Sequence, residues 1–372
     1  MIYLDYAANT PTDEAVLQAF CDAVRSFPGN PNSPHPLGLA AKERLYQATK
    51  DIASLLNVRE GEIIYTSGAS ESNNLAIKGA AQQYKKYGKH IITTFLEHSS
   101  VNGPIGYLQS QGFEVDYVNI AESGLVDTEH LKKLLRDDTI LVSVCAVDSE
   151  LGILQDTQAI ARITAQYPHC LLHVDASQAI GKVLFSMEGI DLVTVAPHKF
   201  YGLNGIGLLI KKERVLLEPQ IHGGISSTSF RSGTPALALA VSAQTALSLA
   251  LAQLPERYEK VHALNEKFRR EFSRCPKVKI NSTAQAVPFI LNISILGTKA
   301  ELIQQALAED GISVATKSAC CAPNTISRPV FAITKDKKAA LSTLRVSLSH
   351  LTTEQELDIF LSSFNKAIEK LC

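Results

Sequence analysis

The chain contains 372 residues, of which 45% are hydrophobic and 20% are charged. This composition is typical of a globular protein, and the length predicts two or three domains because a single hydrophobic core stops growing at about 250–300 residues. The 36 basic and 37 acidic side chains give a formal net charge of −1. Charge therefore favours neither a nucleic acid nor an anionic membrane as a partner.

The first residues and the cysteines bear on location. Residues 1–5 lack the basic and apolar segments of a secretory signal. Seven widely spaced cysteines, an odd number, predict reduced thiols in the cytoplasm. No Cys or His grouping has zinc-ligand spacing, so we expect no metal site.

The uncharged stretch 236–254 is long enough to span a bilayer, but its many alanines and polar residues such as Gln244 and Thr245 predict a buried helix and no membrane span.

Short β-branched runs alternate with helical periodicity up to about residue 210. Seven runs are predicted as strands: 63–66, 90–93, 115–118, 140–144, 171–174, 192–196 and 207–210. Intervening stretches such as 70–87, 99–111 and 157–166 are predicted as helices. This alternation predicts an α/β fold with a mainly parallel seven-stranded sheet. Ligands bind such sheets outside the carboxyl ends of the strands.

The pattern changes after Pro255. A charged helix over 256–273, a strand over 289–295 and helices over 298–310 and 353–370 indicate a smaller α+β C-terminal domain. Residues 1–14 are too few to fold alone. We therefore predict a large domain over 15–255 and a small domain formed by 1–14 and 256–372.

Three of the predicted strands are followed by polar residues that could bind a ligand or take part in catalysis. The turn 65–74 opens a helix whose free amides suit a phosphate, although taken alone N-capping by Ser67 or Ser70 explains it better. Asp175 follows an apolar strand, where a buried carboxylate is costly unless it pairs with a cation, such as a pyridinium nitrogen, or accepts hydrogen bonds. The alternative is that Asp175 caps the next helix. Lys199 ends the next strand and can form a Schiff base, although most lysines are solvated.

These three features gain weight from their order along the chain. A phosphate turn comes first, a strand-end aspartate follows, and a His-Lys pair lies 24 residues after Asp175, at His198 and Lys199. Together they describe a pyridoxal phosphate site.

Motifs along essentially the whole chain extend this interpretation. They occupy residues 3–11, 29–35, 67–73, 97–98, 173–178, 198–199, 231–234, 318–320 and 344–348. By these motifs the chain resembles the cysteine desulfurases of the class V aminotransferase group. The resemblance implies a fold-type I transferase that depends on pyridoxal 5′-phosphate.

The resemblance also implies which residues meet the cofactor ring. Lys199 would hold the cofactor as a Schiff base and then shuttle protons. Asp175 would pair with the protonated ring nitrogen, Gln178 would bond to the phenolic oxygen, and His98 would stack on the ring. Ser149 stands where the family usually has an asparagine that contacts the phenolic oxygen.

The cofactor phosphate would be bound at the helix start. By resemblance its ligands are Ala69, Ser70 and His198, with Thr234 reaching it from a partner subunit. A shared site of this kind implies a homodimer.

The substrate would be bound from the other side of the site. Arg345 would clamp its carboxylate, a task for which the planar guanidinium is suited. Asn32 and His35 lie in a loop that, by resemblance, approaches the substrate.

Cys320 would be the nucleophile. Its thiolate would attack the sulfur of the substrate and become a persulfide, with release of alanine. Lys317 lies close in sequence and would favour the thiolate, whereas an inert buried thiol is the alternative reading of this cysteine. Neighbouring Cys321 has no role that the sequence assigns.

The expected function is therefore a homodimeric, cytoplasmic, pyridoxal phosphate-dependent cysteine desulfurase that converts L-cysteine to L-alanine. Two alternatives stay open: a selenocysteine lyase or other β-lyase, and a non-catalytic sulfur-relay partner. The sulfur-acceptor protein is unidentified, and an iron–sulfur scaffold, a tRNA thiolation pathway and a dedicated carrier are all compatible with the sequence. No nucleic acid and no membrane partner is expected.

Overall fold

The computed structural model describes residues 1–224, 226–317 and 325–371. The helices in these ranges are α1 Glu14–Ser26, α2 Pro36–Leu56, α3 Ala69–Tyr84, α4 Ser99–Ser110, α5 Thr128–Leu134, α6 Thr157–Thr164, α7 Leu237–Ala252, α8 Leu254–Ser273, α9 Ala300–Glu309, α10 Arg328–Thr334, α11 Lys337–Leu341 and α12 Glu354–Leu371. The strands are β1 Ile2–Tyr3, β2 Ile63–Thr66, β3 His90–Thr93, β4 Glu114–Tyr117, β5 Thr139–Cys145, β6 Leu171–Asp175, β7 Leu192–Val195, β8 Gly207–Lys211, β9 Val278–Ile280, β10 Ile290–Ile295, β11 Ile312–Ser313 and β12 Thr343–Ser347. Two 3₁₀ turns span Glu60–Glu62 and Pro197–Lys199.

The central sheet has seven strands in the order β2-β8-β7-β6-β5-β3-β4. Strand β8 is antiparallel to both of its neighbours, and the other pairs are parallel. Strands β5, β6 and β7 are buried along their whole length, as expected for a parallel sheet covered on both faces. The predicted α/β fold with a mainly parallel seven-stranded sheet is confirmed.

Helix α7 corresponds to the uncharged stretch that the sequence predicts as a buried helix. Its alanine-rich face packs with Ala23 of α1 and with Ala41, Leu45 and Ala48 of α2. Within the described ranges no single helix is long and apolar enough to cross a membrane. Helices α7 and α8 pass that test only as a pair, and they are bent by 65° relative to each other.

Two smaller sheets lie outside the central one. Strands β9, β10 and β12 form an antiparallel sheet in the order β12-β10-β9, and β1 pairs in parallel with β11. The chain start is therefore tied to residues more than 300 positions away. One continuous cluster of buried side chains runs from Ile2 to Ile368 and includes residues from the central sheet. The division near residue 255 stays a prediction.

Candidate active site

The carboxyl ends of β2, β5, β6 and β7 border a cavity of about 350 Å³. Loops that follow parallel strands meet at one edge of the sheet, so residues distant in sequence converge there. Nine of the residues singled out in the sequence line this cavity: Ala69, Ser70, His98, Ser149, Asp175, Gln178, His198, Lys199 and Arg345.

The turn between β2 and α3 forms one wall. Its N-cap residue is Gly68, so no side chain caps the first-turn amides of α3. The turn packs closely on β8: a Cβ atom added to Gly207 would lie 2.5 Å from the carbonyl carbon of Gly68. A helix start without a capping side chain attracts an anion through its N–H groups and its dipole.

An ion pair fastens this turn to the loop that carries Thr234. Glu71 accepts hydrogen bonds from the Ser67 amide (2.7 Å) and from Arg231 Nε (2.9 Å). Burial raises the pKa of Glu71, but the hydrogen bonds from Arg231 and Ser67 outweigh it and hold the pKa below its ordinary value. Glu71 is therefore a carboxylate at neutral pH, and it holds the two loops together.

Asp175 ends β6, is 7% exposed and lines the cavity. Its Oδ1 accepts from the amide and the hydroxyl of Ser177 (3.0 and 2.5 Å), and its Oδ2 accepts from Asn73 Nδ2 (2.8 Å). These donors offset the cost of burying a carboxylate. The described residues form no ion pair with Asp175, so the site presents a buried acceptor to whatever occupies the cavity.

Lys199 lies in the 3₁₀ turn after β7. Its Nζ donates to the carbonyl oxygens of Ala7 (2.8 Å) and Ala8 (2.6 Å). The same N-terminal segment bonds to the turn itself, since the amide and hydroxyl of Thr10 donate to the His198 carbonyl (3.2 and 3.0 Å). Burial and the nearby positive charge of Lys199 lower the pKa of His198 to about 4, so its imidazole is neutral.

His98 caps α4 and is joined to Asp175 through two polar side chains. Its Nδ1 accepts from the Ser100 amide (3.2 Å) and lies 2.8 Å from the Ser100 hydroxyl, which in turn accepts from Asn73 Nδ2 (2.8 Å). Burial lowers the pKa of His98 more than the Asp175 carboxylate raises it. The ring is therefore neutral, and because Nδ1 is an acceptor, its hydrogen is on Nε2.

Arg345, on β12, is 1% exposed. Its Nη2 donates to Asp5 Oδ1 and its Nη1 donates to the Ser149 carbonyl, both at 2.7 Å. Its Nε is buried without a hydrogen-bond partner in the described part of the chain. These two contacts hold the guanidinium in place at the wall of the cavity.

Gln178 lies one turn after Asp175 and is 4% exposed. Its Nε2 donates to the Ala7 carbonyl (2.8 Å), and its Oε1 accepts from Lys182 Nζ (2.7 Å). These contacts fix which end of the amide is the donor.

Three predicted site residues lie outside this cavity. Asn32 donates to the Ser226 hydroxyl (2.8 Å), and His35 Nδ1 accepts from the Gly38 amide as the cap of α2. Thr234 lines a second groove together with residues 235–239, 27–31 and Phe20, Ala23 and Val24. Cys320 and Cys321 lie outside the described residues, whereas Lys317 donates to the Thr325 carbonyl at 2.9 Å.

Sequence reasoning missed Asp5, Asn73 and Lys182, which contact Arg345, Asp175 and Gln178. Asn73 lies in the motif over 67–73, which gives it no role, although a fully buried asparagine on α3 indicates a polar partner. Lys182 follows Gln178 by four residues, the spacing at which side chains meet on a helical turn. Asp5 lies in the motif over 3–11, but its partner is 340 positions away and no local pattern identifies it.

The described cysteines are reduced and lie apart from any cluster of metal ligands in the described ranges. Within the described ranges, Cys21, Cys145, Cys170 and Cys275 are free thiols. Burial raises the pKa of the Cys170 thiol to about 12 and raises that of Cys145 above its ordinary value. No group of three or more potential metal ligands occurs in those ranges.

Comparison with known proteins gives one consistent result. The model of the aminotransferase class-V family matches residues 2–360. A cysteine desulfurase IscS of Pseudoalteromonas translucida is 40% identical, in an alignment that covers 100% of this chain and 93% of the relative. Among solved structures, a NifS-like protein has a TM-score of 0.93 at 33% identity, with both chains fully covered. The structure of SspA in complex with cysteine has a TM-score of 0.81 at 31% identity and covers 95% of this chain and 100% of that one. The chain therefore belongs to the class-V aminotransferase family.

Proposed function

We propose that the protein is a pyridoxal phosphate-dependent cysteine desulfurase, which converts L-cysteine to L-alanine and leaves the sulfur on Cys320 as a persulfide. One observation carries the proposal: the Lys199 amine, the buried Asp175 carboxylate, the open start of α3 and the Arg345 guanidinium border a single cavity. The full-length similarity to cysteine desulfurases and to a protein solved with cysteine supports the choice of substrate.

The donor and acceptor groups of the cavity fit pyridoxal phosphate. The first-turn amides of α3, with Ala69, Ser70 and the neutral His198 beside them, would hold its phosphate. Asp175 would pair with the protonated ring nitrogen. Gln178 Nε2 and Ser149 would contact the phenolic oxygen. When bound, the group supplies an aldehyde for the substrate amine and a ring that accepts electrons while substrate bonds break.

Two side chains are placed to move protons. Lys199 Nζ, held beside Ala7 and Ala8, would hold the cofactor, remove the proton from the substrate Cα and later return one. His98 would lie against the ring and offer its Nε2 hydrogen to the substrate, because Nδ1 is already an acceptor for Ser100.

Arg345 would orient the substrate through its carboxylate. Asp5 and the Ser149 carbonyl accept from Nη2 and Nη1 and hold the guanidinium at the cavity wall, where its charge would attract the substrate carboxylate. A substrate held there would present its Cα hydrogen toward Lys199, which lines the same cavity.

Cys320 would accept the sulfur. Its Sγ would form an S–S bond to the substrate sulfur as the substrate Cβ–S bond breaks. The electron pair of the broken bond stays with Cβ, which takes up a proton and becomes the methyl group of alanine. L-cysteine and one thiol thus become L-alanine and one persulfide, and the persulfide then passes to an acceptor protein.

The proposal includes a homodimeric assembly and a cytoplasmic location. We infer a homodimer in which Thr234 reaches the phosphate of the partner's site, while Asn32 and His35 approach substrate from an exposed loop. The exposed apolar side chains Leu37, Leu39 and Tyr46 on α2 and Val24 on α1 support an interface on this face. The free thiols of the described chain are compatible with work in the cytoplasm.

The cofactor is tested by reduction with borohydride and peptide mass spectrometry. We expect a pyridoxyl group on Lys199 in the wild-type protein and none in Lys199→Ala. Labelling of another lysine, or a purified protein without bound pyridoxal phosphate, would overturn the cofactor assignment.

The sulfur transfer is tested with two neighbouring cysteines. Cys320→Ser is expected to abolish both alanine formation from L-cysteine and the added sulfur atom on the protein, whereas Cys321→Ser serves as the matched control and retains both. If alanine formation survives in Cys320→Ser, the reaction is that of another β-lyase and Cys320 is not the nucleophile.

A further inference from the structure

Lys182 carries a buried amino group whose position the proposed reaction does not explain. It is 6% exposed, and its Nζ donates to Gln178 Oε1 at 2.7 Å. Within the described ranges it forms no ion pair. The positive groups of Lys199 and Arg345 are close enough to act on it, and burial together with these charges lowers the pKa of Lys182 to about 7.

Stability alone gives no reason for an ammonium at this position. Burying a charge without a carboxylate partner costs free energy, and an apolar side chain of similar size would avoid the cost. Within the described residues, the Lys182 side chain donates to one group, the amide of Gln178, which lines the cavity.

The contact settles the orientation of that amide. The Lys182 amino group donates to the Gln178 carbonyl oxygen in either protonation state, and its ammonium form cannot accept from the amide NH₂ at all. The opposite end agrees independently, because Nε2 faces the Ala7 carbonyl at 2.8 Å, and a carbonyl oxygen requires a donor. One Nε2 hydrogen then remains for an acceptor in the cavity.

We propose that Lys182 is a positioning residue that locks the Gln178 side-chain amide with its NH₂ group toward the cavity, so that Gln178 offers a donor to an anionic oxygen of the bound group. The inference rests on the proposed function, in which that group is pyridoxal phosphate and the oxygen is its phenolic oxygen. Without the ammonium the amide can turn over, and a carbonyl oxygen would then face the anionic oxygen.

The test compares holoenzymes that carry Lys182→Met or Lys182→Gln. Methionine removes the donor at similar size, whereas glutamine retains a neutral donor. Lys211→Met is the matched control, because Lys211 is 3% exposed and donates to the backbone carbonyls of Lys212 and Val215. The readouts are the dissociation constant of pyridoxal phosphate from the refilled apoprotein and the pH midpoint of the visible absorption band of the bound cofactor.

Loss of one hydrogen bond to a charged group predicts about tenfold weaker cofactor binding in Lys182→Met and an upward shift of the absorption midpoint. Lys182→Gln should retain most of the affinity, and Lys211→Met should leave both readouts unchanged. If Lys182→Met does not fold, Lys182→Leu replaces it.

A double-mutant cycle shows whether Lys182 acts through Gln178. In a Gln178→Ala background, Lys182→Met should have no further effect on either readout. Additive effects, or a Lys182→Met protein with wild-type readouts, would overturn the proposal. Borohydride labelling of Lys199 in the same wild-type sample tests cofactor attachment independently. Failure of the Lys182 proposal can therefore be distinguished from failure of the proposed function.

Discussion

Glu97 makes the pH dependence of stability a direct test of the site's electrostatics. Its side chain is 4% exposed, and its Oε1 accepts from the Thr94 hydroxyl (2.7 Å) and the Cys145 amide (2.9 Å). Its Oε2 is buried without a hydrogen-bond partner in the described part of the chain. Burial, with a further contribution from the Asp175 carboxylate, raises the pKa of Glu97 from 4.5 to about 8. At neutral pH the group is therefore a neutral carboxylic acid.

The size of the effect follows from linkage. A carboxyl group whose pKa is raised on folding holds its proton longer in the folded state, so stability falls as pH rises through the interval between the two pKa values. For Glu97 this interval is pH 4.5 to 8, and the slope is about 1.4 kcal/mol per pH unit, with about 5 kcal/mol as the total. Glu97→Gln reproduces the neutral side chain and retains an acceptor for Thr94 and Cys145, which should remove this slope.

Denaturant unfolding at pH 5.5, 6.5 and 7.5 measures the difference. We expect the stability of Glu97→Gln to exceed that of the wild type by about 1.4 kcal/mol at pH 5.5 and by about 4 kcal/mol at pH 7.5. Glu309→Gln, on the exposed side of α9, is the control and should follow the wild-type profile. Parallel profiles for the wild type and Glu97→Gln would refute the reasoning, because they would mean that Glu97 is ionised in the folded protein.

Three further substitutions probe the cavity wall. Asn73→Leu removes the donor to Asp175 and should weaken cofactor binding about tenfold, as measured by fluorescence titration; unchanged affinity would contradict the network. Arg345→Lys replaces a bidentate donor by a point charge and should raise the KM for L-cysteine at least tenfold while the cofactor spectrum is retained. Gly207→Ala places a methyl group against the α3 turn and should lower both Tm and phosphate affinity, whereas Gly61→Ala, with open space around it, should not.

Much of the sheet was predictable because its signals are local. The runs over 63–66 and 90–93 were predicted at the bounds observed, and 115–118 begins one residue earlier, at Glu114. Buried parallel strands require continuous β-branched and apolar residues, which the sequence displays directly. The short strands β1 and β11 were not predicted, because two residues carry no periodicity and their pairing is between distant segments.

The site was predictable to the extent that it depends on strand ends. Asp175 and Lys199 follow adjacent parallel strands, so both belong to one edge of the sheet whatever the packing of the remaining chain. The same reasoning does not predict the role of Asn73. Its carboxamide donates to Asp175 because of the rotation of α3 about its own axis, which the strand ends do not determine. A helical period predicts which residues share a face, but not which partner that face meets.

The sequence by itself determined the α/β fold, the seven strands of the central sheet in chain order, and the residues at the carboxyl ends of β2, β6 and β7, because these depend on side-chain periodicity and on the geometry common to all parallel sheets. Tertiary structure alone decided that Asp5 accepts from Arg345 and that the Ala7 and Ala8 carbonyls accept from Lys199. These contacts depend on how the N-terminal segment is registered against β12 and the 3₁₀ turn. That register is fixed by packing between segments that lie 191 to 340 residues apart, and no local pattern encodes it.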